Sequence, residues 1–249
     1  MSSALTYPLP VLPSIPDDLE NLDSRCALPH LMALMKNTLI RGLNRVYACA
    51  PLVIVGHPAL LPFLDYVRSL LTQLNVHLEE DATFFSANAL AEVAATKANP
   101  DTKTIKESII SLTSLVSTWI MDESDFSSSA LRERLSFGPA LVTVMQAQIR
   151  ALTPALLSSI ISHLDLLELI AASVGRISER SDMTFLLPFV VSHHDHTTSV
   201  HWPKIPEGCI EMFPALILNH PGCWQFAPYN PFNHEAQSLM DIFARLSSG

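Results

Sequence analysis

The fold is decided by one stretch, residues 32–47, which reads MALMKNTLIRGLNRVY. Apolar residues recur there, and just before it, at intervals of three or four positions: Leu31, Leu34, Met35, Leu39, Leu43 and Val46. This spacing puts their side chains on one face of an α-helix. It predicts a buried helix from about Leu28 to Tyr47.

The same helical period recurs three more times along the chain. It predicts a second helix from Leu60 to about Ala95, a third from about Lys103 to Met121, and a fourth from Phe137 to about Val174. The fourth is expected to break or kink at Thr153-Pro154, because proline cannot donate a helical hydrogen bond. Long helices with short connections are typical of an antiparallel four-helix bundle, so the predicted fold class is all-α.

Prolines mark both ends of the chain. Four of them in residues 1–28 predict an extended N-terminal arm, and residues 29–249 are then expected to form a single domain. Within that domain, residues 30–174 form the predicted bundle. Prolines also interrupt short apolar runs after Met183, which predicts that residues 183–249 form an irregular cap closed by a helix from His234 to Leu246.

Composition excludes several classes of partner. Of 249 residues, 49% are apolar and 16% charged, and the formal net charge is -9, so a large core is expected and nucleic acid is a poor partner. The longest uncharged stretch, residues 46–64, is broken by prolines, so no membrane-spanning helix is expected. Four distant cysteines and the lack of a signal-peptide pattern predict reduced thiols and a cytoplasmic protein.

Two motifs resemble the fungal hemerythrin-like (HHE cation-binding) family. Residues 32–47 are similar to its first helix, and residues 76–85, VHLEEDATFF, to its second. Shorter segments at 187–189, 194–195 and 220–228 are also similar. The resemblance implies a four-helix bundle in which histidines and carboxylates on facing helices hold iron.

This chain departs from the family pattern at the iron ligands. Lys36 replaces the first-helix histidine, and only His77 remains of a His-His pair. Ile105 lies near the expected third-helix histidine, and the residue four positions after His163 is Leu167. The surviving donors, His77, Glu80, Asp81 and His163, are too few for a di-iron site. No metal or other cofactor is therefore predicted, although one zinc or iron ion on those four residues is an alternative.

The helical pattern puts Lys36 inside the bundle, level with Glu80 and Asp81. A buried ammonium needs a partner. It is either a structural ion pair in place of a metal, or a fixed cation that donates to a substrate oxygen. The predicted catalytic residues are Lys36, His77, Glu80, Asp81 and His163. The predicted substrate pocket consists of Asn44, Tyr47, Trp119 and Trp224.

The resemblance implies a role in fungal secondary metabolism, where a hemerythrin-like protein performs an intramolecular [4+2] cycloaddition. The predicted function is a metal-independent cyclase of this Diels-Alderase type, acting on a small, apolar, terpenoid-like natural product. Two alternatives stay open. One is a non-haem iron oxygenase or oxidase with a rearranged site, and the other is a ligand-binding protein without catalytic activity.

Overall fold

The computed structural model describes residues 7–13, 19–87, 90, 102–199, 202–205 and 207–247. Within these residues the protein is all-α and contains no strand, only an isolated bridge between Tyr229 and Ala236. The all-α class predicted from the sequence is therefore confirmed. The four cysteines are free thiols.

The α-helices, numbered in chain order, are α1 Ser24–Cys49, α2 Leu60–Ser86, α3 Thr102–Met121, α4 Ser128–Arg134, α5 Gly138–Ala151, α6 Pro154–Ile160, α7 His163–Arg180, α8 Met183–His193, α9 Glu207–Leu218 and α10 Leu239–Ser247. Short 3-10 turns connect several of them, including Ala50–Leu52 and Cys223–Phe226. Polar side chains start many helices: Asp23, for example, accepts from the amide of Arg25 at the start of α1.

Helix α1 lies at the centre of the core and contacts α2, α5, α7 and α8. The glycine of its RGLN motif explains how close this packing is. A Cβ at Gly42 would lie 2.9 Å from Leu70 Cδ1 and 3.0 Å from Phe189 Cζ, which is closer than carbon atoms approach in proteins. Gly42 therefore lets α2 and α8 approach α1 together.

Two predicted helices differ from the observed ones. The second helix ends at Ser86, and the predicted extension to Ala95 falls largely outside the described residues. The break predicted in the fourth helix at Thr153-Pro154 is present, but a second break at Ile161-Ser162 was not predicted, so this stretch forms three helices, α5, α6 and α7.

The C-terminal part is more regular than predicted. It contains two helices, α8 and α9, with Pro188 and Pro214 inside them. A proline inside a helix loses its amide hydrogen bond and crowds the carbonyl four residues earlier, and on α8 the burial of Phe185 and Phe189 favours the helix despite this cost. The terminal helix begins at Leu239 instead of His234, because His234 has a φ of 58°, outside the helical range.

Residues 7–13 of the N-terminal arm pack against α1, which begins at Ser24 instead of about Leu28. Two asparagines of α1 bind the backbone of the arm. Asn37 Oδ1 accepts from the amide of Leu12 at 2.7 Å, and Asn44 Oδ1 accepts from the amide of Leu9 at 2.6 Å. Each side-chain amide also donates back to the carbonyl of the same residue, so each asparagine acts as a backbone-like partner.

No single helix in the described residues is long and apolar enough to cross a bilayer. The segments Ser128–Ala151 and Pro154–Ile160 reach that length and hydropathy only when combined, and they meet at a bend of 63°.

We expect Asn37→Ala and Asn44→Ala each to lower the free energy of unfolding by about 1–3 kcal/mol, because each leaves backbone groups of the arm without partners. Urea denaturation measures the change. Asn219→Ala is the matched control, since that exposed asparagine binds only a carbonyl within α9. Equal stability of all four proteins would show that the arm is not held by these bonds.

Candidate functional site

A buried ammonium group joins α1 to α2. Lys36 has no exposed surface, and its Nζ lies 2.5 Å from Asp81 Oδ2 and 3.0 Å from His77 Nε2. His77 and Asp81 are four residues apart on α2, so both face α1 from successive turns. The interaction predicted between Lys36 and an acidic residue of α2 is thus present, and its partner is Asp81.

The ammonium determines the charge of this cluster. Burial alone would raise the pKa of Asp81, but its interactions with Lys36, His77 and Gln148 together outweigh burial and leave the pKa below its usual value. Burial lowers the pKa of His77 to about 4, and the charge of Lys36 acts in the same direction. At neutral pH the cluster therefore holds an ammonium, a carboxylate and a neutral imidazole.

The contact with Lys36 also fixes the tautomer of His77. An ammonium has only donors, so His77 Nε2 must accept, and the ring proton lies on Nδ1. His77 Nδ1 is buried and has no hydrogen-bond partner. Such an unsatisfied N–H costs free energy, which an acceptor bound to it would remove.

A cavity of about 350 Å³ adjoins the cluster. Its walls come from α1, α2, α7 and α8 and from Trp202, and they are mainly apolar, apart from three polar side chains of α2 and two serines of α7. It is lined by Leu28, Leu31, Met32, Met35, His77, Glu80, Asp81, Phe84, Ile170, Ser173, Val174, Ile177, Ser178, Leu186, Val190 and Trp202. An apolar cavity with a few converging polar groups is the usual form of a small-molecule site.

Glu80 lines the cavity but does not contact Lys36. Both of its carboxylate oxygens accept from Arg176 on α7, with the shortest distance, 2.6 Å, between Arg176 Nη2 and Glu80 Oε1. A second ion pair joins Arg180 to Glu79. Helix α7 forms a half-buried wall, with Val174 57% exposed, so these pairs hold it over the cavity.

His163 does not join the cluster, contrary to the prediction. The break before α7 makes it the first residue of that helix, where its Nδ1 lies 2.9 Å from Ser24 Oγ and 3.4 Å from Asp23 Oδ2. Its side chain is 45% exposed. The helix break thus separates it from His77, Glu80 and Asp81.

The four predicted pocket residues lie elsewhere, and none lines the cavity. Asn44 holds the N-terminal arm, and Tyr47 stacks on Tyr7 at 4.1 Å. Trp119 packs edge-on against Phe126, and the Trp224 indole donates to the carbonyl of Ile217 at 2.9 Å. These residues all contribute to packing of the core and its margins.

The donor set does not fit the iron that the family resemblance implies. The Lys36 ammonium lies between Asp81 and His77, where a cation bound by those two side chains would have to lie. Lysine at this position cannot act as a ligand while protonated. Glu80 is bound by Arg176, and His163 lies at the far end of α7. No step through iron is therefore derived.

Several contributors were not identified from the sequence. Arg176 was not identified because it is 96 residues from Glu80 in sequence. The α7 wall does carry a signal, since Ile170, Val174 and Ile177 follow a helical period. His193 is also buried: its Nε2 accepts from the Tyr66 hydroxyl at 2.6 Å, and its Nδ1 donates to the carbonyl of Phe189.

No family model matches this chain, and no curated protein or solved structure is significantly similar to it. The resemblance of residues 32–47 and 76–85 to hemerythrin-like proteins therefore stays a prediction. The function proposed below is therefore based on the chemistry of the Lys36 cluster and its cavity.

We expect His77 to make stability depend on pH. Its pKa is about 4 in the folded protein and about 6.5 when unfolded, so the unfolded state binds the extra proton between these values. The stability is complete above pH 6.5 and falls by up to about 3 kcal/mol as the pH drops to 4. Urea denaturation of wild type and His77→Phe across this range measures the difference, and parallel curves would contradict it.

We also expect the bundle to lack a di-iron centre, because Lys36, Ile105 and the displaced His163 remove the ligands. Protein expressed with supplementary iron should contain no stoichiometric iron by mass spectrometry of the metal. Two equivalents of iron per chain would refute this prediction.

Proposed function

We propose that the chain is a hemerythrin-like four-helix bundle in which an ion pair has replaced the metal. The contacts between long helices support this arrangement: α1 contacts α2 and α5, and α3 contacts the same two helices, which closes a ring of four. The Lys36–Asp81 pair lies between two members of that ring. The position of Lys36 where the family carries a histidine supports the same proposal.

The proposed activity is metal-independent cyclisation of a small apolar molecule by an intramolecular [4+2] cycloaddition. The observation that carries it is the unsatisfied Nδ1–H of His77 beside an apolar cavity. A carbonyl oxygen on the ligand would accept this hydrogen bond and remove the cost of leaving the donor unpaired. Most of the remaining lining residues are apolar, which suits a terpenoid-like body.

The chemistry requires little else from the protein. In the cycloaddition, a diene and a dienophile of one molecule form two σ bonds and one new π bond while three π bonds are consumed, so no proton, electron or leaving group is transferred. A cavity that holds the chain folded removes entropy from the reaction step. A hydrogen bond to the dienophile carbonyl stabilises the charge that accumulates on its oxygen.

Lys36 acts through His77 in this proposal. Lys36 does not line the cavity, so its ammonium does not bond directly to a substrate oxygen. It acts through two hydrogen bonds in series, from Lys36 Nζ to His77 Nε2 and from His77 Nδ1 to the substrate oxygen. The ammonium donates to Nε2, which makes Nδ1–H a stronger donor, and Asp81 keeps Lys36 in place. Lys36 and Asp81 are thus positioning residues, and His77 is the proposed catalytic residue.

The iron oxygenase alternative has no support from these contacts. His77 Nε2 and Asp81 Oδ2 bind Lys36, and both Glu80 carboxylate oxygens bind Arg176. A binding protein without catalytic activity would use the same cavity. The experiments below distinguish that case, since it predicts ligand retention without acceleration.

The first experiment tests the donor. Acetophenone labelled with ¹³C at its carbonyl is added to the protein, and infrared difference spectroscopy records the carbonyl stretch. We expect a shift to lower frequency on binding, because Nδ1–H of His77 bonds to the oxygen. His77→Phe should abolish the shift while retaining binding. His30→Phe, at a histidine of α1 that does not line the cavity, is the matched control and should behave as wild type.

The second experiment tests catalysis with a synthetic triene of terpenoid size whose dienophile carries a ketone. We expect His77→Phe to lower the cyclisation rate by roughly 10- to 100-fold, equivalent to about 1.4–2.7 kcal/mol in the transition state. Lys36→Met combined with Asp81→Asn, which removes both charges, should cause a smaller loss. His30→Phe should keep the wild-type rate.

Two outcomes would overturn the proposal. Binding of the triene with no acceleration by wild type leaves only a ligand-binding protein. Full activity of a folded His77→Phe protein would show that the cavity's shape, and not its donor, is responsible.

A further inference from the structure

A second cluster of polar side chains lies at the opposite end of α2. Asp65 lies in the second turn of this helix. His220 lies in the segment after α9, and Cys223 is the first residue of the 3-10 turn Cys223–Phe226. Gly222 has a φ of 81°, and a Cβ there would lie 3.0 Å from Pro62. The glycine therefore lets this turn lie directly against the start of α2, which brings His220 and Cys223 to Asp65.

One donor atom from each of the three side chains lies within 4.8 Å of the other two. Asp65 Oδ2 is 3.1 Å from His220 Nδ1 and 3.5 Å from Cys223 Sγ. In a tetrahedral zinc site, ordinary bond lengths put oxygen about 3.3 Å from nitrogen and about 3.6 Å from sulfur. The observed separations are thus close to two edges of such a tetrahedron.

The other polar atoms of these side chains are already held. Arg68 donates to Asp65 Oδ1 at 2.6 Å, which leaves Oδ2 to face the cluster. His220 Nε2 lies 3.2 Å from Asp182 Oδ2 and 3.1 Å from Thr184 Oγ1, which leaves Nδ1 on the inner side. A carboxylate on the outer nitrogen of a histidine is the usual support of a metal-ligating imidazole.

We propose that Asp65, His220 and Cys223 bind one Zn²⁺ ion through Oδ2, Nδ1 and Sγ, with water as the fourth ligand. An oxygen, a nitrogen and a sulfur donor together suit zinc better than the hard cations calcium and magnesium, which select oxygen. Asp65 is 29% and His220 12% exposed, so water can reach the fourth position. The ion would fasten the turn after α9 to α2.

Two protons have to leave this cluster when Zn²⁺ binds. Without metal, His220 lies between two carboxylates, and its hydrogen bond with Asp65 raises the pKa of the imidazole. On binding, Zn²⁺ displaces the proton on His220 Nδ1 and the proton of the Cys223 thiol, which donates to the carbonyl of Pro62 at 3.3 Å in the metal-free protein. Both protons go to solvent, so the affinity must rise with pH.

This site is independent of the proposed cyclase. Asp65 precedes Asp81 by 16 residues on α2, which is about 24 Å along the helix axis. Zinc binding and cavity chemistry can thus be tested and refuted separately.

The test uses the full chain, freed of metal by a chelator and titrated with Zn²⁺ against a chromophoric indicator. We expect one equivalent to bind and the thermal unfolding midpoint to rise. Asp182→Asn keeps the cap of α8 but removes the charge behind His220, so it should weaken binding by about 10- to 100-fold. Cys223→Ser should weaken it at least as much, and Cys209→Ser, at a cysteine remote from the cluster, should bind as wild type.

Titration of the wild-type protein with Co²⁺ gives a readout that needs no variant. A thiolate-to-cobalt charge-transfer band at one equivalent is expected if Cys223 is a ligand, and Zn²⁺ should displace it. No stoichiometric Zn²⁺ binding, no charge-transfer band, or undiminished affinity in Cys223→Ser would overturn the proposal.

Discussion

The buried ammonium of Lys36 constrains how α1 packs against α2 and which neighbouring groups are charged. A cation without exposed surface is costly unless partners surround it, and Asp81 and His77 supply those partners from successive turns of α2. The need to satisfy this cation sets α1 and α2 in one register. Its contact with His77 Nε2 puts the ring proton on Nδ1, while burial lowers the pKa of His77 and keeps the imidazole neutral. The chemical character of the neighbouring cavity thus follows from one buried ion pair.

The cavity exists because the side chains of α7 cover one side of it but do not fill the space beside α1, α2 and α8. Helix α7 contributes one fully buried residue, Leu166, while its cavity-facing side chains stay partly exposed. The packing of Leu166, Leu169 and Ile170 against a small apolar cluster attaches the helix. The ion pairs of Arg176 and Arg180 with consecutive glutamates of α2, Glu80 and Glu79, add to this attachment.

Helix α2 contributes to both the Lys36 cluster and the Asp65 cluster. Its C-terminal half presents His77, Glu80 and Asp81 to α1 and the cavity, and its N-terminal half presents Asp65 to the turn at Gly222. The apolar middle, which includes Tyr66 and Leu70, packs against α1 and α8 with no exposed surface. The two clusters lie about 24 Å apart along the helix axis, and this distance weakens the electrostatic coupling between them.

The sequence by itself determined the all-α class, most of the long helices and the burial of Lys36 beside an acid of α2, because these depend on a 3.6-residue period and on neighbours within a few turns. It did not determine the break before α7, which moved His163 to a helix start, or the pairing of Glu80 with Arg176, 96 residues away. Tyr47 and Trp224 look like pocket residues in the sequence yet pack elsewhere. Which faces enclose space and which fill it depends on how the helices pack in three dimensions, and only the tertiary structure decides that.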